Sequence, residues 1–214
     1  MNRDTMDGKL LFAGNLLTNA SSNTDIATAL ATFGYTTEKL DEGKALLDAA
    51  RNLVDKQKQE YGEQFAATDA MNAAREVANG QYMMHLKIAR IALKNDRGAE
   101  ESLRLRGDRK DSFSGWLNQA KAFYANALAS QSIIDAFGRF GITQEKLQAG
   151  QALVADAEQK LNEQLKEKGE AQQATLERDA ALDSLNDYIS DLVAISRIAL
   201  EDKPQYLEML GVKV

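Results

Sequence analysis

Phe33-Gly34-Tyr35-Thr36-Thr37-Glu38-Lys39-Leu40 and Phe140-Gly141-Ile142-Thr143-Gln144-Glu145-Lys146-Leu147 are the stretches whose reading decides the fold. The second repeats the first at an offset of about 107 positions, half of a 214-residue chain. In each, a glycine follows an apolar helix end, where a left-handed residue stops a helix at little steric cost. Tyr35 and Ile142 supply the apolar contact beyond the stop. Thr36 and Thr143 then accept from the first free amides of a following helix, and Glu38 and Glu145 suit its positive end. The motif reads as a structural corner between two helices.

Working outward, the same ungapped offset pairs Gly43 with Gly150, Gly62 with Gly169, and Arg90-Ile91-Ala92-Leu93 with Arg197-Ile198-Ala199-Leu200. About thirty of 103 aligned pairs are identical. The expectation is an all-α tandem duplication: a first helical repeat over 1–103, a linker over 104–111 and a second repeat over 112–214. Each repeat would hold two short helices, the glycine-capped corner and a long helical hairpin, and the two would form a pseudo-two-fold bundle.

Composition agrees with helix. The chain has one proline, and Ala, Leu, Glu, Gln and Lys are abundant. A formal charge of -6 and a pI near 5.0 oppose binding to nucleic acid or to anionic lipid. There is no cysteine, which excludes disulfides and thiolate chemistry. No stretch has the apolar length of a membrane span, and the N-terminal run lacks the length and flanks of a signal peptide, so a cytoplasmic protein is expected.

Before each corner a short helix is expected to bury Ile26, Ala29, Leu30 and Phe33, or Ile133, Ile134, Phe137 and Phe140. After it, Leu40, Gly43, Leu47, Ala50 and Val54 recur at spacings of three and four, as do Leu147, Gly150, Val154 and Ala157. Gly43 and Gly150 lie on that apolar stripe, where a missing side chain permits close packing. Gly62 and Gly169 are read as tight turns of the hairpins, because a helix of some 60 residues is rare in a domain of this size.

Candidate chemistry is sparse. His85 is the only histidine and has no partner for a dyad or a multi-histidine metal site, so it is expected to be a partly buried core residue. Arg90 and Arg197 stand in apolar runs and are expected to form inter-helix ion pairs with acids such as Glu63 and Glu170. Arg104, Arg106, Arg109 and Lys110 form a basic linker cluster, solvated or docking onto an acidic surface. Trp116, Phe123 and Tyr124 are read as core, or alternatively as an association face. No phosphate loop, nucleophile motif or metal-ligand cluster is present, and no catalytic, cofactor or metal site is expected. These features point to a non-enzymatic structural or interaction protein that forms a homo-oligomer or binds another protein, with neither nucleic acid nor a membrane span involved. The alternative is a carrier holding a small apolar ligand near Met71, Tyr82, Met83, Met84 and His85.

Overall fold

The computed structural model describes residues 5–213, and those residues form eight helices and no strand. In chain order they are α1 (Met6–Ser22), α2 (Thr24–Ala31), α3 (Thr37–Ala92), α4 (Arg97–Ser102), α5 (Phe113–Leu128), α6 (Gln131–Gly138), α7 (Gln144–Ala199) and α8 (Pro204–Met209). Adding 107 to the bounds of α2, α3 and α4 gives those of α6, α7 and α8. Among the described residues no helix is long and apolar enough to cross a membrane.

Local chemistry accounts for the breaks. Asn23 ends α1 and caps α2, its Oδ1 accepting from the amides of Asp25 and Ile26 at 3.0 and 3.1 Å. Ser112 does the same for α5, accepting from Gly115 at 3.2 Å. Asp96 opens α4 by accepting from Ala99 at 2.9 Å.

The expected hairpins are absent. α3 and α7 are each one unbroken helix of 56 residues, and Gly62 and Gly169 lie inside them, with no neighbouring atom within 4 Å of where a methyl group would stand. Helical φ/ψ at an interior glycine costs about 1 kcal/mol relative to alanine, which is too little to break a helix packed elsewhere along its length.

Packing divides the chain into two compact units. The first comprises residues up to Tyr61 and from Glu170 onward, and the second comprises Gly62–Gly169. The first unit therefore holds α1, α2, the leading part of α3, the trailing part of α7, and α8. The second holds the trailing part of α3, α4, α5, α6 and the leading part of α7. Each unit combines early helices of one sequence half with late helices of the other.

In the first unit Leu16, Leu17, Ile26, Leu30, Leu192 and Leu210 are fully enclosed. Tyr188 of α7 covers Gly43 of α3, and its hydroxyl donates to the Lys39 carbonyl. Burial pushes that phenol up to about 12. The core of the second unit is aromatic: Tyr82, Phe123, Tyr124 and Phe137 meet edge to face or tilted, at centroid distances of 5.2 to 6.4 Å. Here Tyr124 of α5 covers Gly150 of α7. The glycine gap on each stripe is filled by a tyrosine ring and not by the backbone of a neighbouring helix.

Candidate interaction surface

The two corners are built as the motif implies. Gly34 and Gly141 have φ of +87° and +74°. The amides of Tyr35 and Ile142 bond back to Leu30 and Phe137 at 3.1 and 3.2 Å, the long bond of a glycine-terminated helix. Thr36 and Thr143 cap the long helices, and their hydroxyls, by hydrogen bonding, are the main cause holding the Glu38 and Glu145 carboxyls below the usual range.

Phe33 and Phe140, expected to be buried, are 47% and 48% exposed. The reason is the position of the stop. α2 ends at Ala31 and α6 at Gly138, so each phenylalanine lies beyond the last helical turn and loses the phase of Ile26 and Leu30, or of Ile133 and Phe137. Ile91 and Ile198, also paired by the offset, are 58% and 56% exposed. In the second unit Ile91 and Phe140 line one cleft of about 480 Å³ with Lys94, Asp96 and Arg139. Arg139 spans it, donating to the carbonyl of Ala92 at 3.1 Å. Val77, Met84 and Ile91, seven residues apart, make an exposed apolar row along α3 leading to this cleft.

The sequence-expected sites fall elsewhere. Arg90 is exposed and donates through Nε to the Leu105 carbonyl at 2.8 Å, and Arg197 donates to the Lys213 carbonyl at 3.4 Å. Their expected ion pairs with Glu63 and Glu170 do not form. Each guanidinium takes a backbone carbonyl instead of an acid on another helix, and the acid on its own helix stands 27 positions away, roughly 40 Å at helical rise. Trp116, Phe123 and Tyr124 are 4%, 1% and 0% exposed, so they are core and not an association face.

The connector keeps Arg104, Arg106 and Lys110 exposed, as a solvated cluster would, but Arg109 and the flanking leucines tie it to the second unit. Leu103 and Leu105 are buried, and Arg109 reaches back to the Tyr82 hydroxyl at 2.8 Å and to the carbonyls of Arg104, Arg106 and Gly107 at 2.9 to 3.2 Å. Arg106 pairs with Glu100 at 2.6 Å. Arg104 takes a left-handed φ of 52°, held by the Arg109 bond to its carbonyl.

Two polar features belong to the second unit alone. His85 is fully buried, with Nε2 2.9 Å from the Gln81 amide nitrogen and Nδ1 3.1 Å from the Tyr124 hydroxyl. An amide nitrogen only donates, so Nε2 accepts and the ring proton is assigned to Nδ1. Burial, aided by Lys146, lowers the histidine pKa. The offset counterparts of His85 and Tyr124 are Leu192 and Leu17. A second cleft of about 480 Å³ lies between Arg75, Asn79, Tyr82, Arg109 and Trp116. Arg75 stacks over the rings of Phe113 and Trp116 at 5.4 and 5.6 Å, and the indole donates to Asn79 at 2.9 Å. Of the methionines considered for a ligand cavity, Met83 edges this cleft whereas Met84 faces outward, 41% exposed.

No known protein-family model matches the chain, and neither does any curated protein or solved structure.

The apolar surface was therefore missed at Phe33, Phe140, Ile91 and Ile198, all of which lie inside the most similar segments of the two halves. The usable signal was phase. Ile91 falls two positions after buried Ala89 and two before buried Leu93, off the inward stripe of α3.

Proposed function

We infer that the chain is a non-enzymatic protein-interaction module that associates with itself. One observation carries this reading: large apolar residues at two pairs of positions related by the offset, Phe33 with Phe140 and Ile91 with Ile198, all stay about half exposed. Single exposed apolar side chains are ordinary on a protein surface and need no explanation. A matched set of four is less easily ordinary, because it would have had to survive in both halves while some two thirds of the other positions diverged. The common origin of the halves is part of the same proposal, supported by the sequence identities and by the matching element bounds.

The reading is tested by light scattering on the full chain across a range of concentrations. A mass rising above 23.5 kDa with concentration supports it. A mass fixed at 23.5 kDa up to the highest concentration reached would overturn it.

A further inference from the structure

The charges around the apolar pairs differ between the units. In the second unit Lys94 and Arg139 share the cleft of Ile91 and Phe140. Its one acid, Asp96, accepts from the Ala99 amide and keeps its charge, so these three groups leave the cleft with a formal +1. At the matching positions in sequence the first unit carries Glu201 for Lys94, Asp202 for Asn95 and Thr32 for Arg139, within four residues of Ile198 or next to Phe33 in the chain. Glu201 and Asp202 are exposed. Lys203, which stands where Asp96 does, is drawn over the Tyr206 ring at 5.5 Å. The imbalance extends through both units. The second has 15 Lys and Arg against 14 Asp and Glu, a formal +1, and the first has 11 against 18, a formal -7.

We propose, resting on the self-association reading, that the occupant of the Ile91/Phe140 cleft is a second copy of this chain, which presents its acidic Phe33/Ile198 surface. Pairing two first-unit surfaces would set Glu201 and Asp202 against themselves, and like charge across an interface is unfavourable. The unlike pairing brings the two apolar pairs together inside opposite charge. Such a contact joins two different surfaces, so a pair of copies still has one free cleft at one end and one free acidic surface at the other. Association then continues until a ring closes or a filament forms.

Two double variants separate the surfaces: Ile91→Ser with Phe140→Ser, and Phe33→Ser with Ile198→Ser. All four side chains are exposed, and circular dichroism melts verify that both variants keep the wild-type fold. Light scattering is run on wild type at low and high salt, on each variant alone, and on their equimolar mixture. The expected result is a wild type larger than a dimer that shrinks with added salt, as screening weakens the charged contact. Each variant alone is a monomer, and the mixture stops at two chains, about 47 kDa from twice 23.5 kDa. Association by either variant alone, or a mixture that stays monomeric while wild type associates, overturns the head-to-tail contact and leaves self-association standing. A wild type that is monomeric under all conditions removes both.

Discussion

Tyr188 of α7 lies directly over Gly43 of α3: a methyl group added to Gly43 would come within 2.7 Å of the ring's Cζ and 2.8 Å of Leu17 Cδ2. The two residues are far apart in sequence and fall in different sequence halves, yet both belong to the first compact unit. This contact shows in small compass how the fold is made, since a groove cut in an early helix is closed by a ring from a late one.

Glycine substitutions discriminate between the groove and the helix interior. Gly43→Ala is expected to cost about 1 to 3 kcal/mol, because Tyr188 has to move from a packed site. Gly62→Ala and Gly169→Ala meet open space inside continuous helices and are expected to stabilise by roughly 0.5 to 1 kcal/mol each. Urea titrations measure all three. A destabilising Gly62→Ala would mean that a turn, and not a helix, occupies this position.

Acid should weaken the fold through His85. An unfolded imidazole titrates near 6.5, while burial lowers the value in the folded chain. On acidification the unfolded state takes up the proton first. Stability is therefore constant above about pH 6.5 as far as this group is concerned, declines as pH falls through the interval between the two values, and levels off below the folded one. Because His85 is the only histidine, His85→Leu should flatten the histidine part of the profile between about pH 7 and 5. Melting temperatures of wild type and variant across that range decide the matter, and parallel profiles would contradict it.

Arg109 should matter far more than its neighbours in the connector. Arg109→Ala removes the donor from the Tyr82 hydroxyl and from three loop carbonyls, with an expected loss of about 2 kcal/mol. Arg106→Ala breaks a pair whose arginine is 79% exposed, and a change below about 0.5 kcal/mol is expected. Equal effects in denaturant titrations would mean that Arg109 anchors the connector no more firmly than the exposed Arg106 does.

Much of the fold could be read from local chemistry. The glycine stops at 34 and 141 and the threonine caps after them are short-range features, and the structure has them where the residues imply. The continuous course of α3 and α7 was hidden, because glycine marks both turns and helix interiors, and only packing along the rest of the helix decides. The partnership of early and late helices was hidden for a similar reason: an apolar stripe such as Leu40, Leu47 and Val54 says that a helix is covered, not by which one. The arginines at 90 and 197 were misread because sequence displays a charge but not the backbone carbonyl within its reach. The candidate surface was hardest to see, since Phe33 and Phe140 look apolar enough for a core and are exposed only because their helices stop two residues early.

The exchange of helices between the sequence halves is tested most directly by separating them. Residues 1–103 and 104–214 are to be produced as independent fragments, mixed in equal amounts, and followed by circular dichroism and light scattering. Neither compact unit is complete within one fragment. The 1:1 mixture should therefore recover the helix content, the melting transition and the light-scattering mass of the intact chain at the same concentration, while neither fragment alone is a stably folded monomer. A 1–103 fragment that is monomeric and melts cooperatively near the temperature of the full chain would contradict the account.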